Sequence, residues 1–238
     1  MANVSTITLA NTIEFTKKLN FGRVSNLGNS QEPAMTAANM VMQTVLGPPF
    51  RWRFNRSVKT FSTIIGTQDY AQAVANFGWI EDASIQDPNG SKWIEMEEKV
   101  GLALDSVAGR PRSIAAEFDN GTGNITFRFM PVPEKVYPVS VTMQTAAPLF
   151  TSTAQTWAPI PDMYNMILTW GFLTLMWFFA DDPRAAQANG KFVSAFLAAN
   201  QGLTEVDRNL FLNNWEAISG QPTSMAVRNQ QGSAARGQ

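Results

Sequence analysis

The chain of 238 residues contains no cysteine and no histidine. Without cysteine there is no disulfide scaffold, no thiol nucleophile and no thiolate metal cluster. Without histidine no Ser-His-Asp relay can form, and a proton shuttle near neutral pH would need a carboxylate or lysine of shifted pKa. Net charge is scarce as well. Eighteen basic and 19 acidic residues leave −1, so no overall field gathers a polyanion. The first residues, MANVSTITLANTIEFTKKL, also lack the basic, then apolar, then small-residue order of a signal peptide.

Apolar and aromatic side chains are plentiful. Sixteen Phe, 7 Trp and 45% hydrophobic residues exclude disorder throughout, and the length suits one or two domains. Met163 to Ala180 runs 18 residues without a charge, the lower limit for a membrane-spanning helix. Asn165 and Thr169 within the run, Asp181-Asp182 after it and the missing basic flank favour a helix buried in protein instead.

Periodicity divides the chain. Ser30 to Gly47 reads as a helix, with Pro33 in its first turn, Gly47-Pro48-Pro49 as its stop, and Met35, Ala38, Met42 and Val45 on one face. From Phe50 to about Gln144 the period is two. Trp52 and Phe54 alternate with Arg51, Arg53 and Asn55, and Ile94 and Met96 with Trp93, Glu95 and Glu97. Ile114–Phe118 and Ile125–Phe129 flank an Asn- and Gly-containing turn, a hairpin pattern, and Val136 to Gln144 is a strand with Tyr137, Val139, Val141 and Met143 on one face. Pro111, Pro131, Pro133 and Pro138 mark strand ends or edges.

Beyond a Thr- and Pro-rich linker, Ala146 to Pro161, the helical period returns. The 163–180 helix is followed by one that Asp182 caps and Pro183 opens, with Ala188, Phe192, Phe196 and Ala199 as its stripe. Thr204 to Asp207 resembles a capping box for a third, with Val206, Leu210, Trp215 and Ile218 facing inward. The expected fold is α+β: a bundle of one N-terminal and about three C-terminal helices (30–49 and 162–220) with an inserted antiparallel β domain and linker (50–161). An N-terminal extension (1–29) and an extended C-terminal arm (221–238) complete the chain.

Nothing in this sequence marks an enzyme, and no cofactor or metal site is expected. Glu81-Asp82, or Glu95, Glu97 and Glu98, could pair as carboxylates for hydrolysis or a divalent cation, but such pairs are ordinary on solvated strand edges. Gly121-Thr122-Gly123 is too short for a phosphate cradle. Arg51, Arg53 and Arg56 interleave with Trp52 and Phe54 as in a nucleic-acid-binding strand, without a companion basic cluster elsewhere.

The order of several short motifs is informative. GPPFRWRFNR (47–56), Phe61 to Tyr70 (FSTIIGTQDY), Gly109-Arg110-Pro111 and a hairpin leading into Phe129 to Tyr137 (FMPVPEKVY) are followed by Pro159 to Tyr164 (PIPDMY), the apolar helix, Asp181-Asp182-Pro183-Arg184 and Phe192-Val193. This series, over roughly residues 30 to 215, resembles the head-to-tail adaptor (connector) proteins of tailed bacteriophages, the tail-tubular or adaptor-like family. The resemblance implies a virion structural protein at the head–tail junction, made in the host cytoplasm. It would assemble as a homo-oligomeric ring, a dodecamer, beneath the portal protein, extend the DNA channel with non-specific DNA contact, and dock a downstream neck or tail protein. It also implies a portal-inserting C-terminal arm, here with Met225, Arg228 and Arg236 as anchors, and leaves Arg51, Arg53 and Arg56 for the channel or an interface. The alternatives are a protein anchored in a membrane by 163–180, or a carboxylate-dependent virion hydrolase.

Overall fold

The computed structural model describes residues 5–19, 32–74, 76–104, 107–118 and 125–221. They form two compact units, one from the chain up to Phe50 together with the chain from Ala147, the other from Arg51–Ala146.

The first unit is helical: α1 (Leu9–Leu19), α2 (Glu32–Leu46), α3 (Asn165–Phe179), α4 (Arg184–Ala199) and α5 (Glu205–Ser219). Helix α3 is its centre. Ile167, Leu168, Thr169 and every residue from Gly171 to Trp177 are buried, and α2, α4 and α5 all pack on it. Thr174 is tolerated there because its hydroxyl donates to the Trp170 carbonyl, 2.8 Å away. Gly171 has no alternative: a Cβ would lie 2.9 Å from the Phe192 ring and 3.1 Å from Val41. Around α3 the rings of Phe50, Phe196, Phe192, Phe211 and Trp215 form one cluster, with Phe196 and Phe211 stacked at 4.2 Å and Phe192 and Trp215 tilted by 45° at 4.3 Å. The buried Trp215 indole donates to Asn189 Oδ1 at 2.7 Å. Helix ends follow local chemistry. The Thr204 hydroxyl accepts the Asp207 N–H, 3.1 Å away, at the start of α5, and the Asp182 carboxylate accepts the Arg184 N–H at 2.9 Å.

The second unit is mostly antiparallel β. One sheet has the order β1 (Arg56–Ser62), β10 (Pro138–Thr145), β3 (Phe77–Gln86), β4 (Trp93–Glu95). Another has the order β2 (Asp69–Gln72), β8 (Ile125–Met130), β7 (Ser113–Phe118), β5 (Glu97–Glu98). A third pairs β6 (Ala108–Gly109) with β9 (Val132–Pro133) in parallel, and β5 also runs parallel to β7. The hairpin forms as its pattern predicts, Ser113 opposite Met130 and Phe118 opposite Ile125; its tip lies outside the described residues. Alternation builds the core: Ile80, Ile85, Tyr137, Val139, Val141 and Met143 pack with Tyr70, Ile114, Ile125, Phe127 and Phe129. The Tyr70 hydroxyl accepts the Ile64 N–H and donates to the Thr67 carbonyl, both at 2.8 Å, which closes the turn between β1 and β2.

Three expectations need correction. Residues 51–55 are no strand: Arg53–Asn55 is a 3-10 turn and β1 begins at Arg56. The cause is Asn55, buried, whose amide donates to the Thr145 carbonyl at 2.8 Å while its Oδ1 accepts the Thr145 hydroxyl. Val206 and Leu210 do not face inward. They are exposed, and α5 buries Phe211, Leu212, Trp215 and Ser219 instead. Ala199 is likewise exposed, because α4 ends there while its buried stripe stops at Phe196. The N-terminal extension carries a helix, α1, held by a reciprocal cap in which Thr8 Oγ1 accepts the Asn11 N–H at 3.1 Å and Asn11 Oδ1 accepts the Thr8 N–H at 3.0 Å.

Replacing Gly171 with valine forces side-chain atoms into space held by Phe192 and Val41. We expect a loss of about 1–3 kcal/mol, read as a lower urea midpoint for the helical unit; an unchanged midpoint would show that the α3 crossing is looser than its distances imply.

Candidate functional site

The three arginines singled out by the sequence have different fates. Arg56 reaches across to Glu81 on β3 with both prongs of its guanidinium: Nε donates to Oε2 at 2.7 Å and Nη2 to Oε1. Gln144 completes the arrangement, donating to Glu81 Oε2 at 2.6 Å and to the Trp52 carbonyl at 3.1 Å. Burial pushes the Glu81 carboxyl up, but hydrogen bonds from Arg56 and Gln144 and the charges of Arg56 and Arg51 more than reverse this and hold it below the usual carboxylate range. Arg51 is exposed, and its charge acts on both Glu81 and Glu98. Glu98 is exposed as a residue, yet loss of hydration at its carboxyl outweighs Arg51 and the Ile80 N–H, and its pKa rises. Arg53 is exposed on the 3-10 turn. Arg56 therefore joins the structure of the β unit, and the basic run presents Arg51 and Arg53 to solvent.

The suggested carboxylate pairs do not build a site. Glu81 is taken by Arg56, Asp82 is exposed, and Glu97 carries an exposed ion pair with Lys99 at 3.4 Å. Among the described residues no group of three or more potential ligands could hold a metal ion, and no helix is long and apolar enough to cross a membrane. Met225, Arg228 and Arg236 lie outside the described residues.

Two features were not singled out. The first is Asp162, whose carboxylate gathers the N-terminal segment: it accepts the Thr6 hydroxyl at 2.6 Å, the Thr6 N–H at 3.0 Å and the Ser5 hydroxyl at 3.2 Å. The Thr6 hydroxyl, with the Thr6 and Ile7 amides and Ser5, lowers its pKa against a smaller effect of burial. The Trp157 indole, fully buried, donates to Thr12 of α1 at 2.9 Å. The second is a set of uncovered apolar side chains. In the β unit these are Ile64 and Ile65 at the tip of the β1–β2 turn, both 62% exposed, and Val100, Leu104 and Val107. In the helical unit they are Met163 and Met166 at the start of α3, and Val206 and Leu210 on α5. These large apolar groups are left to water on each unit. The sequence signal for Ile64-Ile65 was plain: two β-branched residues directly before the Gly66 turn, with no alternation to hide them.

The arginine cluster and the N-terminal clamp each generate a test. Arg56→Ala leaves the Glu81 carboxylate mostly buried and unpaired. Since the Arg56 side chain is itself 39% exposed, the expected cost at pH 7 is about 1–3 kcal/mol, below that of a fully buried pair. A depressed carboxyl stabilises the fold above its unfolded pKa of about 4.3 and loses that contribution as pH falls through the folded value. The gap in urea midpoint between the variant and the parent should therefore narrow as pH is lowered below this value; a constant gap would mean that Arg56 acts by packing alone. Asp162→Ala should speed amide hydrogen exchange at Thr6 and Ile7 by about tenfold or more while that of α4 stays put, and unchanged protection at Thr6 would show that the clamp is not what holds the segment.

Comparison with known proteins adds to this geometry. No curated protein matches the chain. The family model described as SU10 adaptor protein matches residues 36–214, well over half of the sequence and spanning α2 to α5. The resemblance drawn from motif order is thereby borne out: the chain belongs to the SU10 adaptor protein family, a family of bacteriophage head-to-tail adaptors.

Proposed function

We propose that this chain forms a homo-oligomeric ring, a dodecamer, between the phage portal and the neck or tail, extending the DNA channel and docking the next tail component. The family match over 36–214 carries the reading, since it gives a structural role as a phage adaptor at the head–tail junction of the virion. The chemistry agrees. Exposed apolar side chains occur on both units, as expected of a subunit that buries more surface on association than it can alone. A net charge of −1 suits a channel that lets DNA pass, because gripping it takes many phosphate contacts. In this reading the C-terminal arm, with Met225, Arg228 and Arg236, engages the portal; Arg51 and Arg53 face the channel or a neighbouring subunit; and assembly takes place in the host cytoplasm.

Size-exclusion chromatography with light scattering, run on the protein alone and mixed with its portal, tests this. A complex of twelve adaptors per portal ring is the expected product. A strictly monomeric species with no portal affinity at micromolar concentration would overturn the proposal.

A further inference from the structure

Glycine directly follows asparagine at Asn89-Gly90, Asn120-Gly121 and Asn189-Gly190. The pair is chemically distinctive, because a backbone nitrogen with no Cβ beside it can approach the preceding carboxamide unhindered. Asn120-Gly121 lies outside the described residues, and the fold treats the other two in opposite ways. Asn189 is buried on α4, where its Oδ1 accepts the Trp215 indole N–H at 2.7 Å. Gly190 lies within the same helix, so its N–H belongs to the helical ladder. Asn89 and Gly90 instead stand exposed in the turn that joins β3 to β4. Asp87 supports that turn: its carbonyl accepts the Gly90 N–H at 2.9 Å, and its carboxylate accepts the Asn89 N–H at 3.0 Å. Among the described residues none bonds the Asn89 carboxamide.

We propose that Asn89 is a site of self-modification, deamidating through a cyclic imide, and that the fold withholds the same reaction from Asn189. In the first step the Gly90 nitrogen bonds to Asn89 Cγ and the Cγ–Nδ2 bond breaks. Nδ2 leaves as ammonia, taking up the proton that the Gly90 nitrogen gives up. Water then opens the ring. Cleavage between that nitrogen and the Asn89 main-chain carbonyl leaves an isoaspartyl link, whereas cleavage at Cγ leaves aspartate. Either way ammonia is lost, a water is consumed, and the net charge of −1 becomes more negative by one. Opening the exposed Asp87–Gly90 turn disturbs no core, which makes it a low-cost local unfolding. At Asn189 the attack would require a helical turn to be undone and a buried indole N–H to lose its acceptor, a costly loss. The isoaspartyl product adds a methylene to the main chain of a turn whose flanks, Gln86 and Trp93, are paired, so the modification falls on the end of the β3–β4 ladder. The inference goes beyond the adaptor reading and does not rest on it.

The structure supplies a blocking variant. A Cβ at Gly90 would meet nothing closer than the Asp87 Cβ at 3.7 Å, so Gly90→Ala keeps the turn while crowding the attacking nitrogen. The full chain is aged in warm, mildly alkaline buffer, and each asparagine is followed by peptide mapping that separates isoaspartyl from aspartyl products. Asn89 should deamidate at least about tenfold faster than Asn189 in the folded protein, and the two rates should converge in concentrated urea. Gly90→Ala should slow Asn89 by about tenfold and leave Asn189 unchanged. Folded-state rates that are equal, a gap that persists unchanged in urea, indifference to Gly90→Ala, or a product at residue 89 that is aspartate alone would each overturn the proposal. No portal is present in the experiment, so its failure leaves the adaptor reading standing.

Discussion

Fifteen consecutive residues from Asn165 to Phe179 carry no charge and stay helical, which obliges the rest of the helical unit to enclose them. In water such a helix has no polar face to turn outward. The chain meets this by wrapping α2, α4 and α5 around it and by stacking phenylalanine rings where they converge. The wrapping has a topological cost. Helix α2 ends before residue 50 and α3 begins at 165, so their contact closes over the whole of the β unit. Were the intervening segment unstructured, that closure would be slow and entropically expensive. A β unit with its own core shortens the effective loop, because it brings the two crossings of the chain, near Phe50 and near Ala147, within the span of one folded body.

Charge is handled in the opposite manner, by being consumed locally. Arg56 is spent on Glu81, Arg128 on Asp69 and Glu117, and Arg184 on Asp182. Arg128 in particular sits on β8 between β2 and β7, with Nε 2.7 Å from Asp69 and Nη1 2.8 Å from Glu117, so that it ties three adjacent strands on their outward face. Arginine suits the task because its planar fork serves several acceptors at once. Beside exposed charges such as Arg51 and Arg53, the surface carries the apolar side chains of Ile64-Ile65, Met163 and Met166, Val206 and Leu210.

The elements that were legible in the sequence are those whose own pattern forces them. Alternation at Tyr137, Val139, Val141 and Met143 leaves no freedom in β10, since a shift by one residue would turn all four into solvent. The absence of charge made α3 readable in the same way. Where tertiary partners decide, the local pattern misleads. Arg51 to Asn55 alternates like a strand, but Thr145, ninety residues away, claims both polar atoms of the Asn55 side chain and bends the segment into a turn. In α5 two apolar stripes compete, one through Val206 and Leu210, the other through Phe211 and Trp215, and the second wins because Phe196 and Phe192 present rings to it. Helix α1 was not read from the sequence, although Thr8 and Asn11 stand at capping distance and Lys17-Lys18 lie in its last turn. Its anchor, Asp162, could not be seen as one, because a carboxylate beside Pro161 looks like any other until the chain brings Thr6 to it. The arginines of the candidate surface were found by type, while the partner that takes Arg56 out of contention, Glu81, had been weighed only as a catalytic carboxylate.

The sequence has no histidine, the side chain that ordinarily titrates near neutral pH, and Arg56, Arg128 and Arg184 are each paired within the chain. The ion pairs reinforce this. Hydrogen bonding to Glu81, Asp69 and Asp182 raises Arg56, Arg128 and Arg184 further from any physiological titration, and Glu81 and Asp162 are held down. Glu98 moves the other way, but it does so alone on an exposed edge. The helical unit coheres through buried rings, and the burial of apolar groups does not depend on protonation.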